Sequence, residues 1–240
     1  MKIVSLVPSI TETLFDFGLT KNEVIGRTKF CIHPEELVKN VQIIGGTKNL
    51  NIEKIKALKP DLIIANKEEN EKLQVEELMK DLKVWVTDIQ TLEDNSQFIT
   101  EVGILLNEKD KALSFNQEIL KILIDKANLS TKKVSYLIWK NPYMTIGSDT
   151  FIHDVLEKMG LENICKNQTR YPEISLAEMQ KAEFILLSSE PFPFQQKHID
   201  ELQNELPNSK IILVDGEAFS WFGTHISKCA EYYKNLQKQI

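Results

Sequence analysis

The stretch from Glu108 to Asn128 constrains the fold most, because it predicts an amphipathic α-helix long enough to cross a small domain. A helix of about 20 residues spans about 30 Å. The periodicity is consistent with two interpretations: a rigid bar between two α/β lobes, or one more helix covering a single sheet. The apolar residues that recur at helical spacing are Leu113, Ile119, Leu120, Leu123, Ile124 and Ala127.

Short apolar runs alternate with helical patterns on both sides of this stretch, which favours parallel sheets with right-handed crossovers. The predicted strands are 2–7, 24–26, 62–65 and 84–86 before it, and 133–139, 144–146, 184–187 and 211–214 after it. In such sheets ligands meet the carboxyl ends of the strands. That rule places Pro8–Ser9, Phe30–His33 and Asn66–Glu69 along one candidate edge.

Several local signals predict where helices begin and end. Ser9 or Thr11 is a candidate N-cap for the first helix, and Gly18 is its predicted stop. Ser175 and Glu178 have the spacing of a capping box. The segment 215–222, DGEAFSWF, is predicted to be a loop with three aromatic residues.

Composition excludes several classes of function. The net charge of -6 and pI near 5.4 argue against binding nucleic acid, which usually needs a basic face. The three scattered cysteines indicate neither a disulfide framework nor a structural zinc site. No run approaches the about 20 apolar residues of a membrane span. Met1 is followed by no secretory signal, so we expect a cytoplasmic chain if Met1 is the native start, and an extracytoplasmic one if an export segment was removed.

Aromatic residues in the loops of the second half are candidate ligand contacts. Phe219, Trp221 and Phe222 predict an apolar shelf for a planar ligand, with packing onto the closing helix as the alternative. Phe192 lies between prolines and is either a rigid wall or part of a packed crossover. Trp139 and Tyr143 flank an Asn-Pro turn, where core packing is the expected role of Trp139.

Polar candidates lie in two other loops. Arg170, beside Tyr171, offers a fork for a carboxylate or phosphate, or is simply a solvated arginine. Cys31 and His33 share one loop, but two residues fall short of the three or four ligands that a closed metal site needs. No sequence motif of an enzyme class is present. A non-catalytic chain without an intrinsic cofactor is therefore expected.

The chain resembles the substrate-binding proteins of cobalamin and ferric-siderophore ABC importers, the helical-backbone class. The resemblance is carried by IVSLVPSITETLFDFGL (3–19), GGTKNLNIEKIKALKPDLIIA (45–65) and MTIGSDTFIHDVLEKMGLENIC (144–165). It implies two Rossmann-like α/β lobes, 1–107 and 129–240, joined by the backbone helix 108–128, with the ligand in the cleft between them. The class places a large aromatic where this chain has Asn66, and its late Trp-Phe pair matches Trp221 and Phe222.

The resemblance further implies a monomer that binds a metal-bearing organic ligand, with a corrinoid first and a ferric siderophore or heme second. It also implies acidic docking residues for an ABC permease, for which Glu69, Glu71 and Glu217 are the candidates. The alternative is a cytosolic metal- or tetrapyrrole-handling factor, or an enzyme, on the same scaffold. The candidate ligand-binding residues are Ser9, Phe30, His33, Asn66, Lys67, Glu68, Trp139, Tyr143, Arg170, Tyr171, Glu190, Phe192, Phe219, Trp221 and Phe222.

Overall fold

The computed structural model describes residues 1–124 and 131–240, which divide into two α/β units. Unit 1 comprises Met1–Ile89, Glu93–Gln117 and Phe222–Ile226. Unit 2 comprises Gln90–Leu92, Glu118–Trp221 and Ser227–Ile240. The chain therefore contributes a short late segment, Phe222–Ile226, to the unit that is otherwise built from its first half.

Unit 1 contains one parallel sheet and a two-stranded antiparallel ribbon. Its strands are β1 (Ile3–Ser5), β2 (Val24–Arg27), β3 (Gln42–Ile43), β4 (Gly45–Gly46), β5 (Asn49–Leu50), β6 (Leu62–Asn66) and β7 (Val84–Thr87). Its helices are α1 (Pro8–Asp16), α2 (Glu35–Val38), α3 (Ile52–Leu58), α4 (Lys72–Met79), α5 (Leu92–Leu106) and the first part of α6 (Lys109–Ile124). The parallel sheet has the order β3-β2-β1-β6-β7, and β4 pairs with β5. Since every pairing in the larger sheet is parallel, the carboxyl ends of its strands share one edge, as predicted.

The first helix begins differently from the sequence prediction. Val7 is the N-cap of α1 and Pro8 occupies the first turn, so neither Ser9 nor Thr11 caps the helix. Pro8 suits this position because a first-turn N–H has no partner within the helix. The Thr11 hydroxyl instead lies within hydrogen-bond distance of the Val7 carbonyl and the Ser5 hydroxyl. The predicted stop is confirmed, since Gly18 has a φ of +100°.

Of the three predicted apolar residues of helix α6 whose side chains the structure describes, Leu113, Ile119 and Leu120, only Ile119 is buried. Ala112 and Ile119 are buried and Phe115 contacts Phe17, whereas Leu113 and Leu120 are 58% and 57% exposed. The positions 112, 115 and 119 also have helical spacing, so periodicity alone could not decide between two apolar stripes on one helix. The side chains of Leu123 and Ile124, and the predicted positions Ala127 and Asn128, lie outside the described residues.

Unit 2 contains a four-stranded parallel sheet of order β11-β10-β8-β9. Its strands are β8 (Lys132–Leu137), β9 (Leu161–Asn163), β10 (Phe184–Ser188) and β11 (Lys210–Val214). Its helices are α7 (Phe151–Lys158), α8 (Leu176–Met179), α9 (Gln196–Glu205), α10 (Gly216–Ser220), α11 (His225–Lys228), which begins in unit 1, and α12 (Ala230–Gln237). The Ser175–Glu178 capping box of α8 is present as predicted.

Two predictions for unit 2 are wrong. The segment 144–146 is not a strand, because Met144 makes only isolated bridges to Trp139 and Glu173. The segment 215–222 is not all loop, because Gly216–Ser220 forms α10 with Asp215 as its N-cap. Each segment is too short for periodicity to show, and each depends on tertiary contacts.

Among residues 1–124 and 131–240, no helix has the length and apolarity that crossing a membrane requires.

Candidate functional site

Phe30 is an exposed aromatic at the carboxyl edge of the unit 1 sheet, just beyond β2. Its side chain is 49% exposed, and the Lys29 ammonium lies 4.9 Å from its ring centroid. Gly46 packs against the same ring so closely that a Cβ there would lie 3.2 Å from it. The backbone N–H of Lys29 donates to the Gly45 carbonyl at 2.8 Å, which ties this loop to the β4–β5 ribbon. Because the Phe30 ring packs against Gly46 and is still half exposed, it is suited to contact an apolar ligand face.

Cys31, a weak candidate for binding a metal, is buried in unit 1. Its thiol is fully buried and lies within hydrogen-bond distance of the hydroxyls of Thr11 and Thr28. Burial raises the pKa of the Cys31 thiol and so favours its protonated form. Among the residues that the structure describes, no group of three or more His, Cys, Asp and Glu side chains is placed to hold a metal ion.

His33 lies in a histidine pair within unit 1. Its ring stacks on that of His225, with centroids 6.4 Å apart and an interplanar angle of 30°. The His225 Nδ1 atom is 2.7 Å from a Glu12 carboxylate oxygen, and both side chains are largely buried. Neither Glu12 nor His225 was among the candidate residues predicted from the sequence. Their separation of 213 residues leaves no local signal.

Asn66 was predicted to satisfy the polar edge of a ligand, and this role is wrong. The side chain is 2% exposed and its amide is used internally. Its Oδ1 atom accepts from the backbone N–H groups of Glu68 and Glu69, and its Nδ2 atom donates to Thr87. The amide therefore shapes the turn that follows β6. Ser9, also predicted as a contact, is buried within α1.

The turn after β6 exposes charged residues next to this buried amide. Lys67 is exposed and forms an ion pair with Asp88. Glu68 and Glu69 are partly buried, and Glu71 is exposed at the N-cap of α4. The predicted docking acids of the first half thus share one short surface segment.

Trp139 provides the exposed aromatic surface of unit 2. It follows β8 and is 41% exposed, so the expectation of a core residue is wrong. Its indole meets the Phe192 ring edge-on, with centroids 5.6 Å apart and an interplanar angle of 71°. Phe192 in turn packs on Phe194 and His198. The proline-flanked loop that was predicted to form a rigid wall is therefore partly packed into the core of unit 2. Its Phe192 ring contacts the Trp139 indole, which remains partly exposed to solvent.

Other candidates of unit 2 lie in two segments that hydrogen-bond to each other. Tyr143 is partly buried, and burial raises the pKa of its hydroxyl. The segment from Tyr143 to Gly147 pairs with the segment from Arg170 to Ile174, since Gly147 donates to the Arg170 carbonyl and Ile174 to the Tyr143 carbonyl. Arg170 is exposed, has a φ of +60°, and places its guanidinium 5.5 Å from the Tyr171 ring centroid.

Glu190 lies at the end of β10 with its carboxylate hydrogen-bonded to Ser220 at 2.6 Å. Burial raises the pKa of this carboxyl, although hydrogen bonds from Ser220 and Trp221 oppose the shift. Glu217, the second-half docking candidate, is partly buried in the first turn of α10. A Cβ on Gly216 would lie 2.4 Å from the Glu190 Cγ atom, so this approach of helix to carboxyl requires glycine.

The predicted shelf of Phe219, Trp221 and Phe222 is wrong as an exposed surface, because all three side chains are buried. Phe219 is fully buried among Tyr136, Tyr232 and Tyr233 in unit 2. Phe222 belongs to unit 1, where it packs edge-on against Phe98. Aromatic content alone did not distinguish these core residues from Trp139, since burial depends on the neighbours that the fold supplies.

A cavity of about 150 Å³ lies between β7 and α5 in unit 1, with Trp85, Asp94 and Phe98 in its lining. None of the predicted ligand-binding residues lines it. Each unit therefore has its own candidate surface at the carboxyl edge of its sheet, and the cavity belongs to neither surface.

Comparison with known proteins places the chain among binding proteins. A family model described as periplasmic binding protein matches residues 3–205. A vitamin B12-binding protein of Salmonella paratyphi A is 27% identical over 180 residues, covering 72% of this chain and 66% of that protein. An uncharacterized ABC transporter substrate-binding lipoprotein of Bacillus subtilis is 31% identical over 188 residues, covering 72% of this chain and 58% of that one. The matched region thus spans less than two thirds of the length of these curated relatives.

A solved structure has the same fold. The periplasmic vitamin B12 binding protein of Vibrio cholerae superposes with a TM-score of 0.81 at 19% identity, covering 99% of this chain and 98% of that one. The α/β fold class predicted from the sequence is confirmed. The family match extends over most of the chain, and the chain therefore belongs to the periplasmic binding protein family.

Proposed function

We propose that this chain is a non-catalytic solute-binding protein that captures a metal-bearing organic ligand and delivers it to an ABC permease. The observation that carries the proposal is the exposed Trp139 indole, held edge-on by Phe192 at the carboxyl edge of the unit 2 sheet. Membership in the periplasmic binding protein family supports capture rather than catalysis. The alternative of a metal-handling factor or an enzyme has no specific observation in its favour.

The ligand class follows from the kind of surface that the edges present. A large flat ligand gains affinity from aromatic faces, and Phe30 in unit 1 and Trp139 in unit 2 each offer one. Lys29 beside Phe30, and Arg170 beside Tyr171, add cations that pair with acidic or amide groups at a ligand's periphery. A corrinoid is the first candidate, because vitamin B12-binding proteins are among the relatives. A ferric siderophore or heme is the second.

The permease partner is proposed from the family and from one relative described as an ABC transporter substrate-binding lipoprotein. Glu69 and Glu71 on unit 1 and Glu217 on unit 2 remain the proposed docking acids. Acidic side chains at partly exposed positions can pair with basic groups on a partner and raise the rate of association.

We also propose the division of the chain that was predicted from the sequence: an N-terminal lobe 1–107, a backbone helix 108–128 and a C-terminal lobe 129–240.

A titration tests the ligand proposal. Intrinsic tryptophan fluorescence, confirmed by calorimetry, would be followed with cyanocobalamin, hemin and a ferric hydroxamate added separately. We expect saturable one-to-one binding of one of them, weakened about tenfold or more by Trp139→Ala because an aromatic contact is lost. Trp85→Phe is the matched control, since Trp85 lies on β7 outside the candidate site, and it should bind as the unaltered chain does. Absence of binding to all three ligands would overturn the proposal.

A further inference from the structure

Asn70 makes three hydrogen bonds from one buried side chain in unit 1. The side chain is 5% exposed. Its Nδ2 atom donates to the carbonyls of Leu6 and Thr47, each at 3.1 Å. Its Oδ1 atom accepts from the backbone N–H of Asn66 at 2.9 Å. A single amide thus joins three segments that lie 64, 23 and 4 residues from it in the sequence.

The three segments all belong to the carboxyl edge that carries the candidate site of unit 1. Leu6 follows β1, and Thr47 follows Gly46, which supports the Phe30 ring. Asn66 ends β6 and begins the turn that exposes Lys67. The Asn70 amide therefore links the Phe30 support to this charged turn through buried hydrogen bonds.

A second set of hydrogen bonds extends from the same point. Asn66 accepts from the N–H groups of Glu68 and Glu69, which closes the turn. The Lys48 ammonium donates to the Glu68 carbonyl at 2.6 Å and so connects the ribbon to the turn again. Lys48 is exposed, so its contact with the carbonyl competes with water, whereas the Asn70 contacts are shielded.

Only a short amide side chain satisfies all three backbone groups. An aspartate has the same shape but no N–H groups, and it would place a carboxylate against two carbonyl oxygens. An alanine would leave buried backbone groups without these partners. We infer that Asn70 is a positioning residue for ligand binding, which holds the Phe30 support and the 66–69 turn at a fixed spacing. This inference rests on the proposed function and adds a residue that touches no ligand.

The test compares Asn70→Asp with Ile55→Ala in the full chain. Ile55 is fully buried in α3, so its truncation lowers stability by loss of packing without touching the Asn70 hydrogen bonds. Thermal unfolding would measure stability, and calorimetry with cyanocobalamin and with hemin would measure affinity well below both unfolding midpoints. We expect both variants to unfold earlier, and only Asn70→Asp to bind about tenfold more weakly. Unchanged affinity in Asn70→Asp, or an equal loss in Ile55→Ala, would overturn the inference.

Hydrogen–deuterium exchange separates this inference from the proposed function. In Asn70→Asp, we expect at least about tenfold faster exchange at the amides of Lys29, Glu68 and Glu69, because these report the ribbon contact and the turn. Ile55→Ala should not show that local pattern. If the unaltered chain binds none of cyanocobalamin, hemin and the ferric hydroxamate, the proposed function fails. The positioning role is then decided by exchange alone, and exchange that matches the control would overturn it.

Discussion

The Glu190 carboxyl gives unit 2 a pH-dependent stability. Because burial raises its pKa above the ordinary value of 4.5, the folded chain binds this proton more tightly than the unfolded chain does. The stability that this protonated carboxyl contributes is therefore present at low pH, and it is lost as the pH rises from about 4.5 through the raised pKa. Ionised Glu190 therefore opposes folding at neutral pH, where Asp215 and Glu217 add negative charge nearby.

Replacing Glu190 with glutamine should remove this pH dependence. The amide oxygen can still accept from Ser220, while the burial of a charge is avoided. We expect the thermal midpoint of Glu190→Gln, relative to the unaltered chain, to be higher at about pH 7 than at about pH 4. Glu205→Gln, at an exposed position in α9, is the control and should show no such trend. A midpoint difference that is constant with pH would contradict the account.

Residues of one type received different roles from their surroundings. Trp139 and Trp221 both lie in loop-like segments rich in aromatics, yet one is exposed and the other is buried. Asn66 was predicted to contact a ligand and Asn70 was not among the candidates, yet both are buried and hydrogen-bonded within unit 1. The sequence predicted the edge on which these residues lie. It did not predict which side chains turn outward, because that depends on distant neighbours.

The segment Phe222–Ile226 is an element that only the three-dimensional structure revealed. Asn95 exchanges two hydrogen bonds with Gly223, and the Thr224 hydroxyl donates to Asp16. His225 pairs with Glu12. These contacts fix the segment to α1 and α5 within unit 1.

Gly223→Ala should loosen this segment. Gly223 has a φ of +83°, and a Cβ there would lie 2.1 Å from the Thr13 hydroxyl oxygen. We expect the free energy of unfolding to fall by about 2 kcal/mol, as measured by chemical denaturation. Gly18→Ala is the matched control, because Gly18 also has a positive φ but its nearest atom would be 3.6 Å from the new Cβ. An equal loss in both variants would mean that backbone conformation, and not the contact with Thr13, sets the cost.

At the scale of the whole molecule, unit 1 is not a continuous piece of chain. A fragment of residues 1–117 would lack Phe222–Ile226, leaving Glu12 and Asp16 without His225 and Thr224 and Phe98 without Phe222. We therefore expect the fragment to unfold at a lower temperature than unit 1 does in the full chain, as followed by circular dichroism and amide NMR spectra. Adding residues 222–226 through a flexible linker should restore part of the loss. A fragment as stable as the intact unit would contradict this description.

Sequence patterns determined the elements, while tertiary contacts decided the site. Runs of β-branched residues, capping signals and glycine stops are local, so strands such as β6 and the capping box of α8 were predicted closely. The alternation of predicted strands and helices also indicated parallel sheets, and hence the edge at which the candidate residues lie. Which face α6 buries, whether Trp139 is exposed, and how Glu12 meets His225 were decided by packing between segments far apart in the chain. Burial and pairing are properties of neighbours in space, and a single sequence records only neighbours along the chain.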